Sequence, residues 1–113
     1  MNITFNSKKL EKLANNDCKR LKELGKLRAD KFKLRLTQLS NVDTLEDIRY
    51  LPGNYHELKD NRKGQWACDL DQPYRLIFEP HENPIPEDEH SKYIWIEING
   101  VEIIEIINYH KEK

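Results

Sequence analysis

Long apolar runs are missing from this chain of 113 residues. No stretch approaches the roughly 18 consecutive apolar residues of a membrane-spanning helix. The opening Met1-Asn2-Ile3-Thr4-Phe5 also lacks the basic-then-apolar order of a signal peptide. The expectation is a cytoplasmic protein with no membrane partner. Cysteine is scarce: Cys18 and Cys68 stand far apart and match no metal or redox spacing, so two ordinary reduced thiols are expected. Glycine is scarce too, four residues in all, and none belongs to a phosphate-cradling loop or a nucleophile elbow. The four histidines, His56, His81, His90 and His110, include no helical i, i+4 pair with a carboxylate, which argues against a zincin-type site. No metal and no cofactor are expected. His81 and His90 read as solvated.

What is present is charge. Charged residues make up 35% of the chain, close to the 37% that is hydrophobic, but ten aromatics argue against disorder. A single domain of this length buries roughly two-thirds of its unfolded surface, enough for one core. The net charge of −1 hides an asymmetry. Residues 1–63 hold 15 Lys and Arg against 9 Asp and Glu, and residues 64–113 hold 4 against 11. A basic first half suggests a polyanionic partner; a solvated lysine-rich helix face is the plainer alternative.

Periodicity divides the chain at about residue 51. Residues 2–5 alternate as a short strand does. Leu10, Leu13, Ala14, Cys18, Leu21 and Leu24 then fall on one face of a helix that Gly25 ends. A second helix over residues 27–39 carries Ala29, Phe32, Leu36 and Leu39 as its stripe, so the two predict a basic antiparallel hairpin. A helical turn over Thr44–Arg49, capped by Asp43, precedes the break at Leu51-Pro52-Gly53-Asn54. Strands are predicted over residues 55–59, 65–70 and 74–79. Pro80–His90, with three prolines and a run of acids, reads as an exposed, mobile loop. Two further strands, 93–98 and 101–107, flank Asn99-Gly100, the strongest short hairpin signal in the chain. The predicted class is α+β, one domain over residues 1–113: an N-terminal strand, a two-helix hairpin, then an antiparallel sheet of four to five strands.

Three places carry residues suited to chemistry. In Tyr55-His56-Glu57-Leu58-Lys59 an extended strand would point His56 and Lys59 to opposite faces, so only a kink brings both to one site. Arg75 is the one basic residue of its strand; its ion-pair acceptor would be Glu79, Glu97 or Glu102. Asn108-Tyr109-His110 follows a strongly β-forming run, where a Tyr-His pair is more often an exposed tail. Together these residues supply His, Tyr, Lys and Arg, the composition of a metal-free ribonuclease.

The segment from Tyr55 to Trp66 resembles the His-x-Leu-Lys-Gly-Asp-Arg-x-Gly-x-Trp stretch of HigB-like toxins of the RelE/ParE superfamily. Pro73-Tyr74-Arg75-Leu76-Ile77-Phe78 is similar to that family's aromatic-Arg-Ile-x-Phe strand, and Asn108-Tyr109-His110 to its Asp-Tyr-His ending. Pro73 stands where the family has a polar residue, Asp60-Asn61 where it has Gly-Asp, and Asn108 where it has Asp. The resemblance implies a RelE-like fold and a toxin of a type II toxin-antitoxin system. It implies a ribosome-dependent mRNA endonuclease, with the ribosome and mRNA as targets and a HigA-like helix-turn-helix antitoxin as partner. By position it makes His56, Lys59, Arg75, Tyr109 and His110 the catalytic set, with His56 and His110 moving protons and Lys59 and Arg75 stabilising the phosphorane. Arg62, Lys63, Lys26 and Lys33 are the expected RNA-binding cations. A ParE-like inhibitor of DNA gyrase, with the same fold and no chemistry, is the rival expectation.

Overall fold

In the computed structural model, which describes residues 1–109, five strands form one sheet in the order β1-β5-β4-β3-β2. These are β1 (Asn2–Phe5), β2 (His56–Glu57), β3 (Trp66–Asp69), β4 (Tyr74–Pro80) and β5 (Gly100–Asn108). Neighbours β2 to β5 pair antiparallel, whereas β1 runs parallel to β5, so the sheet is mixed rather than wholly antiparallel. Among the described residues, no helix is long and apolar enough to cross a membrane.

The helical layer has three segments where two were expected: α1 (Lys8–Asn15), α2 (Asp17–Leu24) and α3 (Lys26–Asn41). Ser7 caps α1 by accepting from the Leu10 N–H at 3.2 Å. Asn16, in extended backbone, ends α1 and caps α2, its Oδ1 accepting from the Lys19 N–H at 2.9 Å. The freed carbonyls of Leu13 and Ala14 accept from the Arg20 guanidinium at 3.0 Å each, and Asp17 closes the group. Burying Arg20 turns the apolar stripe: Leu10 and Leu13 reach the core, while Cys18 and Leu21, expected on the same face, are exposed. A one-residue break leaves the spacing of leucines nearly intact, so periodicity does not reveal it. Gly25 turns the chain into α3 at φ +79°, the left-handed region anticipated for it.

The core lies between helices and sheet. Phe32 and Leu39 of α3, with Leu10 and Leu13, meet Trp66, Cys68, Leu76, Phe78 and Ile103 from the strands. Leu45 and Ile48 enter from a 3-10 turn over Leu45–Tyr50, whose N-cap is Thr44, not Asp43; the Thr44 N–H donates to Asp47 Oδ2 at 3.1 Å. A bulge skips Ile104, so Ile103 and Ile106 both keep the side that faces the helices.

Residues 93–98 are not a strand. Both edges of β5 are occupied, by β4 and β1, so an Asn99-Gly100 hairpin has no edge to pair with. The segment instead makes a 3-10 turn, Trp95–Glu97, with Trp95 buried edge-on against Trp66 at 5.5 Å. The preceding loop is tied down rather than free. Glu87 bridges Tyr93, the Ile94 N–H donates to the Pro86 carbonyl at 2.9 Å, and Ile85 packs on the core.

Candidate active site

Strand register sets the site. On the sheet face opposite the helical core, one row runs His56, Ala67, Ile77, Glu105, and the next runs Asp69, Arg75, Ile107. His56, Ala67, Ile77, Arg75 and Ile107 of these rows, with Glu57, Leu58, the turn Lys59–Arg62 and Tyr109, line an open groove of about 500 Å³. Ala67, Ile77 and Ile107 give it an apolar floor. Its polar residues are His56, Glu57, Lys59, Asp60, Asn61, Arg62, Arg75 and Tyr109.

The kink that His56 and Lys59 require is present. β2 lasts only two residues, and a 3-10 turn over Asp60–Arg62 follows, with Asp60 at φ +57°. The chain leaves the sheet plane, and both side chains line the groove. Lys59 is exposed and has no ion pair among the described residues. His56 Nδ1 stands 2.7 Å from the Asn54 carbonyl. A carbonyl only accepts, so Nδ1 carries the proton, and Nε2 of the neutral ring is the nitrogen with a lone pair.

Arg75 is paired with neither Glu79, Glu97 nor Glu102. Its Nε lies 3.4 Å from Asp69 Oδ1, the residue directly opposite on β3. Its guanidinium carbon stands 3.9 Å over the Tyr109 ring. Tyr109 is held in turn by its N–H, which donates to the Pro73 carbonyl at 2.8 Å. The proline that departs from the family pattern thus serves through its backbone.

The remaining residues separate. Arg62 is in the groove but engaged, donating to Gln65 Oε1 at 2.9 Å and pairing with Glu105 at 3.4 Å. Lys63 lies over the Tyr93 ring at 5.5 Å, beside a neighbouring cleft. Lys26 pairs with Asp30 on α3, and Lys33 lines a different groove near β1. His110 lies outside the described residues. Among the described residues, no group of three or more His, Cys, Asp or Glu side chains is placed to hold a metal ion.

The charge of this sheet face is graded. Beyond the cations, Glu79 and Glu102 stand directly opposite each other on β4 and β5. Burial and the Glu102 carboxylate raise the Glu79 pKa, against a hydrogen bond from Gln65. The facing carboxylates disfavour a polyanion at that end of the face.

Two residues of this region escape sequence reading, Asn54 and Asp69. The pairing of Asp69 with Arg75 follows from the register of β3 and β4.

Against solved structures, the chain is similar to one in a YoeB–YefM complex from Staphylococcus aureus, at 20% identity and a TM-score of 0.54, over 94% of this chain and 93% of that one. No protein-family model matches, and no curated protein matches. At this identity the likeness is one of fold, and it carries the α+β, RelE-like architecture expected from the sequence.

Proposed function

We propose that this protein is a HigB-like toxin of the RelE/ParE superfamily that cuts ribosome-bound mRNA without a metal. The observation that carries the reading is the groove. An imidazole whose Nδ1–H is held by a carbonyl, an ammonium with no ion pair among the described residues and an arginine stacked on a tyrosine line one apolar-floored cleft. The fold likeness to a chain of a YoeB–YefM complex supports it, YoeB being a RelE-family toxin.

In this reading a single RNA strand lies along the groove, a base against Ile107 and the Tyr109 ring. His56 Nε2 takes the proton of a ribose 2′-hydroxyl, whose oxygen attacks the adjacent phosphorus. The bond from phosphorus to the 5′-oxygen breaks, and that oxygen receives a proton from His110. The products are a 2′,3′-cyclic phosphate and a free 5′-hydroxyl. Lys59 and the Nη nitrogens of Arg75 hold the charge that accumulates on the phosphorane oxygens. Tyr109 fixes Arg75 and offers a stacking surface. Lys26 and Lys33, away from the groove, contact ribosomal RNA, and Arg62 and Lys63 flank the mRNA path. A helix-turn-helix antitoxin of HigA type is the expected partner.

The test is cleavage of mRNA on purified ribosomes, with the ends of the products identified. A cyclic phosphate and a 5′-hydroxyl at discrete sites are expected. Intact mRNA together with inhibited DNA supercoiling would replace this reading with the gyrase-inhibitor one.

A further inference from the structure

The Asp69 and Asn54 side chains lie between the two halves of the proposed machinery. Asp69 Oδ1 is 3.4 Å from Arg75 Nε and 3.4 Å from Asn54 Nδ2. The Asn54 carbonyl accepts from His56 Nδ1–H at 2.7 Å. One carboxylate therefore touches the arginine on one side and, on the other, the residue that sets the histidine's tautomer. The backbone around both is held as well. The Asp69 N–H donates to the Gly53 carbonyl at 2.8 Å, and the Asp69 carbonyl accepts from the buried Arg35 Nε at 2.7 Å. Asn54 sits at φ +56°, a left-handed conformation that a side-chain amide anchored to a carboxylate helps to hold.

We propose that Asp69 and Asn54 are positioning residues that couple Arg75 and His56 into one unit. Asp69 engages the Nε edge of Arg75 and leaves both Nη nitrogens for a phosphate. Asn54, anchored by Asp69, aims its carbonyl at Nδ1 and so keeps Nε2 unprotonated. A free imidazole prefers the opposite tautomer, with the proton on Nε2, which could not accept a proton from the nucleophile there. Neither residue touches the RNA; both act through the groups that do. The inference rests on the ribonuclease reading for its kinetic consequence, but not for its geometric one.

The test uses Asp69→Asn and Asn54→Gly. Asp69→Asn keeps the backbone groups that hold Arg35 and Gly53 and removes only the charge. Asn54→Gly keeps the left-handed backbone accessible and removes only the amide. The first readout is NMR of the His56 ring nitrogens and of the Arg75 Nε–H, which needs no activity. The wild type is expected to show Nδ1–H alone and a protected Arg75 Nε–H. Asn54→Gly should mix the tautomers, and Asp69→Asn should expose the Nε–H. The second readout is single-turnover cleavage on the ribosome, expected to fall on the order of 10²-fold in rate with KM little changed and melting temperature near that of wild type. Unchanged His56 tautomer and Arg75 protection in both variants would overturn the inference, whatever the activity. A wild type that cuts no RNA but shows the expected NMR behaviour would leave the coupling standing and sink the ribonuclease reading alone.

Discussion

At the residue scale, Arg75 separates a catalytic from a structural role. Its only ion pair among the described residues is half-buried, to Asp69, and such pairs contribute on the order of 1 kcal/mol. Arg75→Ala should therefore melt within a few degrees of wild type while cleavage on the ribosome falls by about 10²–10³. Early melting with cleavage retained would make the arginine a structural strut. Cys68 behaves oppositely. Burial pushes its thiol up to about 12, against the lowering pull of the Arg35 charge. An unfolded thiol titrates near 9, so above that pH the unfolded chain releases a proton that the native one keeps. Stability should then fall by about 1.4 kcal/mol per pH unit from pH 9 towards 12. Urea titrations at pH 9 and 10 check this, and the drop should be smaller in Cys68→Ala. Burial also raises the Tyr55 hydroxyl, so the decline steepens once free tyrosine titrates.

At the element scale, the link from α3 to the site runs through one tight approach. Gly53, at φ +128°, lies so close to the Arg35 guanidinium that a Cβ there would stand 2.7 Å from Nη1. Gly53→Ala should cost about 1–3 kcal/mol by denaturant unfolding, from backbone strain and a displaced Arg35. A variant as stable as wild type would mean that the loop shifts freely. The same elements mark what the sequence could tell. Helix α3 was legible because Ala29, Phe32, Leu36 and Leu39 repeat at the helical period. β3 and β4 were legible because Asp71-Gln72-Pro73 punctuates two apolar runs. The break at Asn16 was not, since Arg20 closes it through space with backbone carbonyls. Residues 93–98 misread because local turn chemistry knows nothing of a strand edge already taken by β1, whose residues come almost a hundred positions earlier. Of the site, His56, Lys59, Arg75 and Tyr109 were legible from motif resemblance. Asn54 and Asp69 were not, because their roles exist only once β2, β3 and β4 are in register.

Over the whole molecule, the groove and the lysine-bearing helices lie on opposite sides of the sheet. The groove opens on one face, and the lysines of α1, α2 and α3 cover the helices that pack on the other. Ribosome binding should weaken steeply with salt, as release of counterions from RNA requires. Replacing Lys9, Lys12 and Lys22 by Gln should flatten that salt dependence and leave the single-turnover rate of bound complexes unchanged. A salt slope equal to wild type would reduce the helix lysines to solvated surface. Sheet order has a further consequence, one of timing. β5 is the last strand to be synthesised, yet it is the central one for both ends of the chain: β1 pairs with it on one side and β4 on the other. A nascent chain lacking residues 100–109 has helices and a β2–β3–β4 meander, but no seat for β1 and no Ile107 or Tyr109 to wall the groove. The groove wall and the seat of β1 are thus completed together, and only once β5 has been made.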